Sequence, residues 1–282
     1  MKNETGYFEG RELKKLFYQC WLPDSDEIKA YIIAIHGWGT HSDRFKTPAE
    51  YFTEKGYAIY AFDLRGHWRN AGDLTGHIDS MDHIQKDTLL FMDVIREIAK
   101  DKKIFLIGHS FGGLVSLIFA IHHPTLPGVL ISSPLLGMFL KLSMGKKVIK
   151  SLSKTLVKLS PNKILDNIID QNQLTSDLKI LRKHIADKHR TEVISAKSAI
   201  EIDRFSKWAM ENASNLLCPV LIMQAGDDKI VDKEKTREFF EQVNSKDKTY
   251  REYEGFLHEL WNEKGRAQVY QDMFVWLEKH LK

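Results

Sequence analysis

Short apolar runs alternate with longer stretches of helical periodicity along this chain, the arrangement expected of a mostly parallel sheet covered by helices on both faces. The runs are Leu16–Trp21, Tyr31–Ile35, Ala58–Phe62, Ile104–Ile107, Gly128–Ser132, Val220–Gln224 and Tyr250–Tyr253. Their β-branched and aromatic content, bounded by Gly, Pro or Asp, marks them as strands rather than buried helix pieces. Helices are predicted near Pro48–Lys55, Ile84–Lys100, Gly112–His122, Lys233–Val243 and Arg266–Leu281. There is no internal repeat.

The alternation breaks between about Ser133 and Leu217, where no convincing strand occurs and the sequence reads as helical throughout. An insertion between two strand signals is expected to form a cap over the carboxyl ends of the strands, where ligands bind in open α/β sheets. The expected organisation is therefore a core over 1–134, a helical cap or lid over 135–214, and the rest of the core over 215–282. From Pro134 to Leu165 the cap carries seven lysines and no acidic residue. Ile149, Leu152, Leu156 and Leu159 fall on one side of a helical wheel, and Lys147, Lys150, Lys154 and Lys158 on the other. A cap helix with a solvated basic face accounts for this pattern. So does an interfacial helix making peripheral contact with an anionic membrane surface.

Composition adds bounds rather than identity. With 282 residues, 43% apolar, 28% charged and a net charge of +3, the chain is long enough for a sizeable core and has no basic excess that would suit nucleic acid. Met1–Gly6 lacks the apolar region of a secretory signal, and no apolar run reaches membrane-spanning length, so a cytoplasmic location is the expectation. Cys20 and Cys218, far apart in sequence, are read as small buried hydrophobes.

The chemistry centres on Ile107-Gly108-His109-Ser110-Phe111-Gly112-Gly113, between an apolar strand signal and an apolar helix signal. This is the G-x-S-x-G nucleophile elbow, whose glycines allow a turn tight enough to hold the serine hydroxyl clear. A serine needs a base, usually a histidine oriented by a carboxylate. In this strand–turn–helix setting the order is Ser, then Asp or Glu, then His, each on a loop after a strand. Downstream come Asp227-Asp228 and Asp232 after one strand, and His258 after the last. Among twelve histidines, His258 alone combines order with a loop directly after the final strand. His109 is read as packing, His122 and His123 as helix-end residues, and His184 and His189 as lining the entrance at most. Spacing from the strand favours Asp228, with Asp227 the alternative. A tetrahedral oxyanion also needs two backbone donors. Phe111, directly after the nucleophile, and Trp38, in the loop Ile35-His36-Gly37-Trp38-Gly39, are placed to supply them, with the indole free to line or cover the site.

His36 through Phe45, Phe62-Asp63-Leu64-Arg65-Gly66-His67, Gly76-His77-Ile78, the Ser110 elbow, Gln224 through Asp232 and His258 through Glu263 together resemble the monoacylglycerol lipase and lysophospholipase branch of the α/β-hydrolases. The resemblance runs through roughly 5–135 and 215–282 and weakly into Leu174-Thr175-Ser176-Asp177. It implies an α/β-hydrolase fold with a mostly parallel eight-stranded sheet, Ser110, Asp228 and His258 as a triad, Trp38 and Phe111 as oxyanion donors, and a helical lid guiding an acyl chain. One stretch departs from the family pattern: Trp68-Arg69-Asn70 follows Arg-Gly-His where glycine, a variable residue and serine are usual, and the bulky Trp68 is expected to reshape the rim.

The expectation is a serine hydrolase that cleaves the ester of a single-chain lipid, a monoacylglycerol or a lysophospholipid, through an acyl-enzyme. No cofactor or metal is implied. The apolar run Leu135, Leu136, Met138, Phe139, Leu140 and Leu142 favours an acyl substrate. The alternatives are a short-chain carboxylesterase or an aminopeptidase-like hydrolase of small soluble substrates, and a non-catalytic binding protein that keeps the fold. Dehalogenase and epoxide hydrolase chemistry is disfavoured, because those relatives place aspartate where Ser110 stands.

Overall fold

The computed structural model describes residues 1–25, 27–137, 160, 162–165 and 169–281. Eight strands form one sheet in the order β1-β2-β4-β3-β5-β6-β9-β10. They are β1 (Lys2–Glu9), β2 (Lys15–Leu22), β3 (Ala30–Ile35), β4 (Tyr57–Phe62), β5 (Ile104–His109), β6 (Val129–Ser132), β9 (Val220–Ala225) and β10 (Lys248–Tyr253). β1 and β2 pair antiparallel, β2 meets β4 antiparallel, and every pairing from β4 to β10 is parallel.

Strand alternation divides the core between two faces. Ile33, Ile35, Leu106, Ile131 and Ile222 face one way, towards α2 (Met81–Ala99) and α3 (Phe111–His122). Ile32, Ala34, Phe105, Ile107 and Leu221 face the other, towards α1 (Lys46–Thr53) and α7 (Arg266–His280). Because both faces are covered, β3, β4, β5, β6 and β9 are buried at every position. That is why they read as unbroken apolar runs rather than alternating ones.

All seven expected strands and five expected helices are present, with ends that coincide or shift by up to three residues. The strand β1 was not expected. It is an edge strand with Phe8 alone buried, so it offers no apolar pattern to read.

Between β6 and β9 the described residues contain α4 (Leu178–Ala186), α5 (Ala196–Glu211) and a two-residue antiparallel ladder of β7 (Ile164–Leu165) with β8 (Ile194–Ser195). The expectation of an entirely helical insertion is corrected by this ladder and by the irregular chain between α4 and β8. Ser195 leaves the ladder and caps α5, its hydroxyl accepting from the Ser198 N–H at 3.1 Å. The basic amphipathic helix expected around 147–159 lies outside the described residues. Residues 173–198 meet the loops after β3, β4 and β10. Thr191 N–H donates to Gly39 O at 2.9 Å, Ser195 N–H to Gly76 O at 2.8 Å, and Glu259 N–H to Leu174 O at 2.8 Å. The described part of the insertion from 173 to 198 thus sits at the carboxyl ends of the parallel strands.

Candidate active site

Ser110 joins β5 to α3 at φ 54°, ψ −116°, a conformation that costs a non-glycine residue about 1–3 kcal/mol. Neighbouring backbone holds it there. Its N–H donates to Ser132 O at 2.9 Å, and its carbonyl accepts from Leu114 N–H and Leu135 N–H, both at 3.0 Å. The flanking glycines are required by close approach. A Cβ on Gly108 would overlap the Gly112 carbonyl and the Ser116 hydroxyl, and one on Gly112 would overlap the carbonyls of Ile35 and His36. With α3 pressed onto β5 and β3 in this way, the serine stands at the crest of the turn.

Asp228 and His258 come together beneath the insertion. His258 Nδ1 lies 2.8 Å from Asp228 Oδ2, with both side chains buried. Asp228 Oδ1 accepts from the N–H groups of Ile230 and Val231 at 2.9 and 3.0 Å. Burial works against its charge, but the facing imidazole and these two donors hold its carboxyl below the usual carboxylate range. Asp227 is exposed, while Asp232 caps α6 (Lys233–Gln242). The His258 ring packs at 4.7 Å on that of His109, the residue before Ser110. His109 is buried and pushed down to about 3 by burial and by His258, so it stays neutral and serves as packing.

The loop after β3 passes over the elbow. A Cβ on Gly37 would stand 3.4 Å from the Cβ of Ser110. His36 anchors this loop: its Nε2 accepts from Leu64 N–H at 2.9 Å and its Nδ1 faces Gly37 O at 2.8 Å, which fixes the neutral Nδ1–H tautomer. Burial keeps its pKa well below the ordinary histidine value. Trp38 and Phe111 pack edge to face at 5.3 Å. Among the described residues, no acceptor meets the backbone N–H of either. The Trp38 indole does more than line the site: its Nε1–H donates to Val193 O at 3.1 Å and ties the loop to the insertion.

Several further residues complete the surroundings. Glu259, beside His258 and buried, receives Asn262 Nδ2 at 2.8 Å, with His184 Nδ1 at 3.2 Å and Arg44 Nη1 at 3.9 Å. Burial opposes its charge, yet Arg44 and His184 hold it at about 2. His184 is therefore interior, between core and insertion, and does not line an entrance. His41 Nε2 meets Asp187 Oδ2 at 2.8 Å across the same boundary. Trp68 stacks on His189 at 4.3 Å and packs on His41 at 4.4 Å, so the departure noted in the sequence joins the rim to the insertion. Asn70 steadies that turn through Phe17 N–H, which it accepts at 2.9 Å, and through the Asp63 carbonyl, to which it donates. Glu259 was visible as a charge inside the apolar run His258-Glu259-Leu260-Trp261, but its partners Arg44 and His184 are too distant in sequence to be paired with it. Among the described residues, no group of three or more His, Cys, Asp or Glu is placed to hold a metal ion.

Residues 26–265 match the family described as serine aminopeptidase, S33. The chain belongs to this family. Among curated relatives, this S33-family hydrolase is 30% identical over 264 residues to the phospholipase YtpA of Bacillus subtilis, covering 93% of this chain and all of the other. Among solved structures it is similar to the monoacylglycerol lipase of Paleococcus ferrophilus, with TM-score 0.83, 28% identity and coverage of 95% and 100% of the two chains. It is also similar to a soluble variant of the monoglyceride lipase of Saccharomyces cerevisiae, solved with a substrate analogue, with TM-score 0.87, 25% identity and coverage of 98% and 94%. The α/β-hydrolase fold and the resemblance to monoacylglycerol lipases expected from the sequence both stand.

Proposed function

We propose that this chain hydrolyses the carboxylic ester of single-chain lipids, a monoacylglycerol or a lysophospholipid, through Ser110, Asp228 and His258. It is a carboxylic ester hydrolase in which His258 Nε2 takes the Ser110 proton as the hydroxyl oxygen attacks the acyl carbonyl. Asp228 keeps Nδ1–H in place and balances the imidazolium that forms. Trp38 and Phe111 N–H groups receive the oxyanion, each worth on the order of 3 kcal/mol in the barrier. His258 then passes the proton to the leaving alcohol, and a water activated by the same histidine releases the fatty acid. The single observation that carries this reading is a strained, backbone-held serine whose preceding residue, His109, packs its ring at 4.7 Å on His258 of a buried Asp228–His258 pair.

Leu135 and Leu136, buried directly beyond the elbow, and Leu174 in the insertion supply apolar surface for an acyl chain. Residues 135–214 act as the lid between core segments 1–134 and 215–282. Among the described residues, no helix is long and apolar enough to cross a membrane. The enzyme works from the cytoplasm and meets anionic membrane peripherally. On α4, Leu178 and Ile185 are 61% and 57% exposed, beside the exposed cations Lys179, Arg182 and Lys183, which supports that contact. The family's description keeps a second reading in view, cleavage of a small amide or ester.

The deciding experiment compares a long-chain monoacylglycerol, a lysophosphatidylcholine, a short soluble ester and an aminoacyl anilide, with Ser110→Ala as the blank. The expected result is the highest kcat/KM on one of the two lipids. Turnover of the short ester or the anilide alone would overturn the lipid assignment, and no turnover of any would revive a binding protein.

A further inference from the structure

The loop that carries His258 is held from the insertion as well as from the core. His258 N–H donates to Gln173 O at 3.4 Å, Glu259 N–H to Leu174 O at 2.8 Å, and Thr175 Oγ1 to Asn262 O at 2.8 Å. At the centre of this seam is Glu263, 2% exposed. Its Oε1 accepts from Ser176 N–H at 2.7 Å and Leu257 N–H at 3.3 Å, and its Oε2 from the Ser176 hydroxyl at 2.5 Å and Lys264 N–H at 3.3 Å. Leu257 is the residue immediately before His258. One carboxylate therefore clasps the base of the histidine loop and the 173–177 segment that brackets the same loop through backbone bonds.

We infer that Glu263 is a positioning residue for His258, locking its loop to residues 173–177 so that the imidazole stays aligned between Asp228 and Ser110. The inference rests on the reading of Ser110 and His258 as nucleophile and base. Four donors converge on Glu263, and a carboxylate has two oxygens with about four acceptor sites to meet them. Among the described residues, Glu263 forms no ion pair, so these four donors are the partners of its side chain. A glutamine has the same shape but only one acceptor oxygen. Its amide would turn donors either toward the N–H groups of Ser176 and Leu257 or toward the Ser176 hydroxyl and Lys264 N–H, and break one arm of the clasp, leaving buried groups unpaired. The histidine would then lose its fixed approach to Ser110, and misplacement on the ångström scale costs about 10²-fold in rate.

The test is steady-state hydrolysis of a short soluble ester by Glu263→Gln and by Ser176→Ala, normalised to the fraction of Ser110 titrated by a fluorophosphonate. The downfield proton NMR signal of His258 Nδ1–H is followed in parallel. Glu263→Gln is expected to lower kcat per titrated site about 10²-fold with KM within about twofold, and to shift or broaden the His258 signal. Ser176→Ala, which deletes one hydroxyl, is expected to give a smaller loss in kcat, and adding it to Glu263→Gln should cost little more, because both break one clasp. Wild-type kcat per titrated site with an unmoved signal and only a lowered melting temperature would overturn the inference and leave Glu263 a stabilising residue. If Glu263→Gln does not fold, Ser176→Ala decides alone, by the same kcat and NMR criteria. A wild-type enzyme whose Ser110 is not titrated would instead refute the underlying reading of the site.

Discussion

Ser110 occupies a backbone conformation that L-residues avoid, and the two glycines around it are fixed by contact rather than by flexibility. Gly112 is the more demanding, since its Cβ would enter the backbone at Ile35 and His36, the end of β3 and the start of the loop that carries Trp38, the proposed oxyanion donor. Gly112→Ala is therefore expected to destabilise the fold by about 1–3 kcal/mol, as overpacking does, and to lower kcat by displacing the loop over the elbow. Urea unfolding and turnover of a soluble ester check both, and an alanine variant with wild-type stability would show that the strand can yield. At this scale the sequence was informative where chemistry has a local signature. Ser110, with glycines on both sides, and His258, directly after the last strand, could be named from order and spacing. Asp228 could be favoured over Asp227 only by its spacing from the strand, whereas in the structure Asp228 is the buried one of the two and the one that meets His258. Glu263 and Glu259 could not be assigned. Their partners Ser176, Arg44 and His184 come from other loops, and one sequence does not show which distant residues a fold brings together.

Among the elements, those packed on both faces were the legible ones. β3, β5 and β9 read as strands because burial on both sides demands an apolar residue at every position. β1 gives the opposite case. It is held by backbone pairing to β2 and buries one side chain, so its residues are free to be polar and its sequence resembles a loop. The insertion was legible as an interruption but not in its internal form. Its short ladder is made of two residues per strand and takes its stability from contacts to the core loops, such as Ser195 N–H on Gly76 O, rather than from local strand propensity. The loops after β3 and β10 and the insertion are stitched together by Trp38 Nε1 on Val193 O, by Glu259 N–H on Leu174 O and by the His41–Asp187 pair. That stitching makes the region above the sheet part of the site's framework.

Across the whole molecule, four of the buried histidines are kept neutral chiefly by burial. His67 and His184 are lowered to about 4 and His109 to about 3, while His36 lies well below its ordinary value. In the unfolded chain each returns to about 6.5. Between that value and the folded one, the unfolded state binds a proton that the native state does not, so stability falls as pH falls. The slope is about 1.4 kcal/mol per pH unit, or about 2 kcal/mol by pH 5 for each of His67, His109 and His184, and His36 acts in the same direction. Glu259 has a folded pKa of about 2 against about 4.3 unfolded, so its contribution is present above the unfolded value and lost as pH falls through the folded one. Urea midpoints should thus decline steadily from pH 7 to pH 5 and drop further below pH 4, whereas a flat profile would contradict the neutral interior. The central claim, that one strained serine served by His258 performs the chemistry, is tested most directly by fluorophosphonate labelling with peptide mapping. One label per chain on Ser110, lost in Ser110→Ala and slowed by orders of magnitude in His258→Ala, is the predicted result. Labelling at another residue, or ester hydrolysis that survives Ser110→Ala, would contradict it.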